Sequence, residues 1–235
     1  MRSCLIQLLV TFAVLFLVVW FGVPIGASWL ATNALNASGF NGTDTKVDVH
    51  SDLPPRILLG HADSIHLTSS QVSSKNLHAA TIDLTLNGVE LFDRKFDSAL
   101  GILTGVVVFA QDGKPVTIDK VTIDGVSTGA TATLSMSNTE AASLAQSQLQ
   151  SRGIVATVTV HSPDLVMITS GGQTGTAHLQ VNGGELQLVP VTNNLPVITL
   201  IAKGDGNPFT LTSVGIGPTA VTLVGTIDLQ TLLGI

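Results

Sequence analysis

The amino-acid sequence predicts an α+β protein: a long, strongly curved antiparallel β-sheet wrapped around one long amphipathic helix, preceded by an N-terminal transmembrane helix. Three observations predict it. The chain begins with a nearly unbroken apolar run, Leu5 to Val23. From Thr45 onward, apolar and polar residues alternate with the period of a strand along most of the length. Between Met136 and Gly153 the apolar spacing changes to that of a helix.

Only Gln7 and Thr11 interrupt Leu5–Val23. At ~1.5 Å per residue this run nearly spans a hydrocarbon core of ~30 Å. Arg2 is the sole charge before Asp44, so the short N-terminus is expected in the cytoplasm and the remainder outside it. Trp20 and Trp29 fall where an interfacial belt would lie. The competing reading is a signal peptide cut near Ala27, but the run exceeds the ~7–15 apolar residues of such a segment. Residues 1–36 are therefore read as a membrane anchor or signal segment, 37–45 as a polar tether and 46–235 as a single β-rich domain. Ser28 to Ala37 is expected to carry the helix out of the bilayer. The location implied is the cytoplasmic membrane, crossed once, with the C-terminal domain periplasmic or extracellular. Cys4, the one cysteine, precedes the apolar run, where a lipobox cysteine would follow it, and it rules out a disulfide framework or a thiolate metal cluster.

Thr45 to His50 alternates and reads as a first strand. Asp52 to Gly60, with prolines in its first turn and a glycine stop, reads as a short helix. Ser64–Val72 and Leu77–Leu91 return to strand, the second with Ala80, Ile82, Leu84 and Leu86 on one face and Asn87-Gly88 as a turn or bulge within it. Ile102–Phe109 is nearly continuous apolar sequence, and Lys114–Val126 alternates again. Thr128–Met136 sets Ala130, Ala132, Leu134 and Met136 on one side. After the helix, Ile154–Val160, Leu165–Ile168, Thr174–Val181, Glu185–Val191, Pro196–Ala202, Phe209–Val214 and Ala220–Leu229 read as strands. Asn182-Gly183-Gly184 marks a hairpin.

The helix has its own signals. Ser137 and Glu140 form an S-x-x-E capping box, and Met136 and Ala141 stand where a hydrophobic staple would be. Ala141, Leu144, Ala145 and Leu149 make one apolar stripe. Arg152 complements the helix dipole and Gly153 supplies a left-handed stop.

Ten Lys and Arg against sixteen Asp and Glu leave a net charge of −6. Such a chain is repelled by nucleic acid and gains nothing from an anionic surface. Gly125-Val126-Ser127-Thr128-Gly129 matches the G-x-S-x-G elbow of hydrolases, with Asp164 and His178 in a permissible order, but that elbow needs a helix after it and Ala130–Leu134 alternates as strand. His61 and His66 have neither helical nor strand-face spacing. Asp48, His50 and Asp52 would share a strand face and make at most a weak cation site, more simply read as a solvated face. Gly171–Gly175 lacks the lysine of a phosphate loop and leads into a strand. No acid–base pair, nucleophile, metal site or cofactor fingerprint remains, which points to a non-enzymatic binding or structural module.

The strands carry far more aliphatic surface than one helix covers. A sheet that curls without closing would leave a groove beside that helix, about 24 Å long at ~1.5 Å per residue, the reach of an extended acyl tail. Each buried methylene contributes about 0.8 kcal/mol, so such a groove holds a lipid tail without polar contacts. Its expected lining is Leu144 and Leu149 from the helix, with Ile82, Leu84, Leu86, Val106, Val108, Ala132 and Leu134 from strands. The alternative is that side chains fill the groove.

Ile57-Leu58-Leu59-Gly60 followed by Ser64-Ile65-His66-Leu67, then Ile82 to Val89, Ala132-Thr133-Leu134-Ser135, Val181 to Leu186 and Leu211-Thr212-Ser213-Val214, form a recognisable series. Through them the chain, from about Val47 to Leu229, resembles the LmeA-like family of bacterial phospholipid-binding proteins, whose fold is related to the tubular lipid-binding (TULIP) domains. The resemblance implies an exported, membrane-anchored or periplasmic domain that binds phospholipid, with a role in building or maintaining the cell envelope; lipid transfer is the further role expected of such a groove. It brings no catalytic motif and no residue-specific lipid site. The expected partners are a phospholipid or other acyl-chain lipid and the membrane through Leu5–Val23, with no cofactor. The runner-up is a non-catalytic structural or stress-related β-sandwich with a filled core.

Overall fold

The computed structural model describes residues 22–33, 40–73, 78–93, 95–126, 129–192, 195–203 and 209–227. The expected membrane span, Leu5–Val23, lies outside them except for Gly22 and Val23, as does Ser127. Among the described residues no helix is long and apolar enough to cross a membrane.

The alternating segments form antiparallel strands, but these divide into two sheets instead of curling as one. The larger contains β1 (Asn41–His50), β2 (His61–Ser73), β3 (His78–Glu90), β4 (Ser98–Phe109), β5 (Pro115–Val126) and β6 (Gly129–Ser137). Helix α1, residues 22–33, precedes them, and after β6 the chain forms helix α2 (Asn138–Ser151). β7 (Thr157–His161), β8 (Leu165–Ser170), β9 (Gln173–Asn182), β10 (Glu185–Pro190) and β11 (Ile198–Ile201) make the smaller sheet. β12 (Phe209–Ile216) and β13 (Ala220–Ile227) return to the larger one. The eight-stranded order is β1-β2-β3-β4-β5-β6-β13-β12, and the five-stranded order is β11-β10-β9-β8-β7. The stretch expected as a tether is already strand from Asn41 on.

Helix α2 lies between the sheets, against β7 and β11 on one side and β5, β6 and β13 on the other. Ala141, Leu144, Ala145 and Leu149 are buried as their spacing predicts. With 14 residues it is not the long amphipathic helix that the sequence predicts, and a second sheet takes over part of the covering expected of it. The Ser137 hydroxyl accepts the Glu140 N–H at 3.1 Å. The other half of the capping box is replaced: the Ser137 N–H donates to Asp119 Oδ2 of β5 at 3.0 Å, not to Glu140. At the far end Ile154 N–H reaches the Leu149 carbonyl and Gly153 N–H the Gln150 carbonyl, with Gly153 at φ 79°. This is the Schellman arrangement that the glycine predicts.

The predicted face of β3 is correct only in part. Ile82 and Leu84 are buried, but so is Ala79 in place of Ala80. The reason lies in a line across the sheet. Gln71 of β2 and Gly105 of β4 both have positive φ, 49° and 57°. The pairings Ser70↔Thr81 and Thr81↔Thr104 put Ala80 between them. Leu103 and Val106 can then both face the core although they are an odd three positions apart. A bulge of this kind bends a strand and increases its twist.

Candidate functional site

All the residues expected to line a groove beside α2 belong to the packed interior. Leu149 and Ala132 are completely buried, and Leu144, Ile82, Leu84, Val106, Val108 and Leu134 nearly so; Leu86 is half-buried against the same core. Val108 and Leu134 border a gap of only about 10 Å³ between the sheets, the size at which even one water barely fits. Leu144 edges a small, mostly apolar pit of about 220 Å³, with Lys114, Glu140 and Ser147 as polar neighbours. Lys114 Nζ is engaged there, 2.9 Å from Asp112 and 3.0 Å from Ser147. Apart from that pit, the aliphatic surface beside α2 is side-chain-filled, because the smaller sheet covers the face that a single curling sheet would have left open.

An apolar cavity of about 680 Å³ lies at another place, under helix α1. Gly22, Val23, Gly26, Ala27, Leu30 and Ala31 form one wall. They form two adjacent rows at spacing four, on one helical face, and most are small, which holds the helix backbone close while leaving space in front of it. Val49 of β1 and Ile57 form the floor, both buried. Leu58, Leu91 and Phe92 complete the lining, and Leu30, Leu58 and Phe92 are largely exposed at the mouth.

Backbone hydrogen bonds hold these pieces in place. β1 is the edge of the larger sheet, and its Val49 N–H donates to Ser28 Oγ of α1 at 3.0 Å. Val23, Ala27 and Ala31 pack on the core. Pro54–Leu59 forms a 3-10 turn, stopped by Gly60 in the left-handed conformation as the sequence predicts. It starts from Leu53 without a side-chain cap, so Asp52 does not act as the expected acidic cap. Instead Asp52 N–H donates to Asp63 Oδ2 at 2.7 Å. That bond is the main cause holding the Asp63 carboxyl below its usual value. Leu91 N–H donates to the Gly60 carbonyl at 2.7 Å, tying the β3–β4 connection to the turn.

Among the described residues, none that lines the cavity is titratable or carries a nucleophile. What these residues offer is apolar surface. The histidines lie elsewhere, four of the six paired with carboxylates on the surface. His61 is 2.7 Å from Glu90, His66 2.7 Å from Asp83, His178 3.3 Å from Asp164, and His50 3.4 Å from Asp52. Among the described residues no group of three or more His, Cys, Asp or Glu side chains is arranged to hold a metal. The segment that a hydrolase elbow would need as helix, after Ser127, is strand β6.

The sequence did contain a signal for this cavity. Gly22, Gly26, Leu30 and Val23, Ala27, Ala31 are two rows at spacing four, hidden in a stretch that reads as the end of a membrane segment. Comparison with protein-family models, with curated proteins and with solved structures found no match to this chain.

Proposed function

We propose that this domain binds a phospholipid or another acyl-chain lipid, and that the tail enters the cavity between helix α1 and the turn at Ile57-Leu58. The observation that carries the reading is a cavity of about 680 Å³ with an open mouth, lined among the described residues by apolar side chains and glycines and adjoining the end of an apolar run. Its volume is within the ~300–1,000 Å³ of small-molecule sites, but it lacks the convergent polar groups that orient a polar ligand. A ligand recognised there is held by apolar area, at about 0.8 kcal/mol per methylene before ordering costs. The resemblance to the LmeA-like family and its TULIP-related fold is consistent with this reading. The wider role that follows is envelope maintenance or lipid transfer by a membrane-anchored, extracytoplasmic, non-catalytic domain.

Gly26 supplies the test. A Cβ added there meets nothing within 4 Å, so Gly26→Leu would fill the cavity without disturbing its walls. Cells expressing the full chain are supplied with a diazirine-bearing fatty acid that is incorporated into phospholipid, then irradiated, and cross-linked peptides are mapped by mass spectrometry. Cross-links are expected on the peptides containing Ile57-Leu58 and Leu91-Phe92, falling roughly tenfold in Gly26→Leu, the effect of ~1.4 kcal/mol. Cross-links confined to Leu5–Val23, or unaffected by Gly26→Leu, would sink the reading. The second reading, a structural β-rich module, is favoured by the filled interior around Leu149 and Ala132, and it predicts that second pattern.

A further inference from the structure

We propose that the end of the domain formed by the Pro54–Leu59 turn, Phe92 and helix α1 rests on the bilayer surface, with the cavity mouth turned toward the lipid; the proposal deepens the reading above and rests on it for the presence of a bilayer. Val23 is the last residue of the apolar run and is also packed against the domain core. No linker separates the run from the folded domain, so a bilayer that receives the run lies beside the residues around Val23.

Those residues are apolar and uncovered. Leu59 is 71% exposed, Phe92 76% and Trp29 66%, and Leu53 and Leu58 next to them are open as well. They come from separate segments that the Leu91–Gly60 and Val49–Ser28 hydrogen bonds bring to one end of the larger sheet. Leu53, Leu59 and Trp29 do not line the cavity, so tail binding alone gives them no reason to be exposed. Contact with the bilayer does, because the interfacial layer accepts Trp, Phe and Leu side chains while leaving backbone and charges in water. Arg56, the one charged residue of the turn, lies 3.8 Å from Asp63 of β2, and the exposed carboxylates of Asp52 and Asp93, beside Leu53 and Phe92, belong on the water side of that layer.

The test uses the full chain with Cys4→Ser and Leu59→Cys, nitroxide-labelled and reconstituted into vesicles of phosphatidylethanolamine and phosphatidylglycerol. A second sample carries the label at Leu100→Cys on β4, an exposed position distant from the turn in sequence. Relaxation by oxygen, which concentrates in lipid, is compared with relaxation by a water-soluble nickel chelate. The Leu59 label is expected to favour oxygen and the Leu100 label nickel. A Leu59 label as accessible to nickel as the Leu100 label overturns the proposal. A Leu59 label shielded from both overturns it too, and spin–spin broadening would then assign the surface to a second copy of the chain. Lipid cross-linking at Leu58 and Phe92, scored separately on the protein without labels, distinguishes loss of docking from loss of tail binding.

Discussion

Gly105 and Asp119 show how single residues shape this molecule. Gly105 sits at φ 57° with Ala80 packed against the place where a side chain would be, 2.8 Å from an ideal Cβ. Gly105→Ala therefore meets both a left-handed backbone penalty of ~1–2 kcal/mol and a collision that must be relieved. Urea unfolding is expected to show a loss of at least about 1 kcal/mol. Asp119 caps the start of α2 by accepting the Ser137 N–H. Burial, and then the negative charge of Asp119, raise the Glu140 carboxyl above its ordinary value of 4.5. The folded state therefore prefers Glu140 protonated. Its contribution to stability is full below 4.5 and is lost as pH rises through the raised value. Asp119→Asn keeps an acceptor for Ser137 and removes the repulsion. Thermal melts should show the variant gaining on the parent between pH 4 and pH 7; a constant difference would mean that Glu140 does not feel Asp119.

At the scale of elements, helix α1 protects the open edge of the larger sheet. An edge strand presents unpaired N–H and C=O groups that invite pairing with other chains. Here the Val49 N–H is taken by Ser28 while Val23, Ala27 and Ala31 cover the apolar side. Ser28→Ala should cost about 1–3 kcal/mol, because it leaves a buried donor without its acceptor. Amide exchange at Val49 should accelerate, while exchange in β12, on the opposite edge, stays as it was. Unchanged protection at Val49 would mean that α1 does not hold β1. The same helix bears one wall of the cavity, so loosening it should also weaken lipid cross-linking.

For the whole molecule, α2 joins two sheets that otherwise meet mainly where β12 approaches β9 and β10. Leu149, completely buried, is on the helix stripe between them. Leu149→Ala should cost ~2–5 kcal/mol. Hydrogen exchange should lose protection in β7 and β6 together, since both rest on the helix. Loss limited to the smaller sheet would show that the two sheets unfold independently.

The sequence by itself determined the local structure. Alternation located nearly every strand, Gly183-Gly184 the hairpin between β9 and β10, and Ser137 and Gly153 the ends of α2, because these features depend on period, caps and turn chemistry within a few residues. It determined the apolar faces as well, down to Ala130, Ala132, Leu134 and Met136, all buried. What covers each face was decided only in the tertiary structure. Period two states that a face is apolar but not whether a second sheet, a helix or a ligand lies against it. Leu144, Ile82 and Leu134 thus read like groove and are core, while the α1 stretch read like the end of a membrane segment and forms a wall of the cavity. Gly105, a glycine inside a strand, is the kind of residue that marks a bulge, but Gln71 carries no such mark, since a bulge depends on the partner strand as much as on its own residues. The division into two sheets is non-local in the same way: β13 pairs with β6, far before it in the chain, and no spacing within a strand encodes its partner.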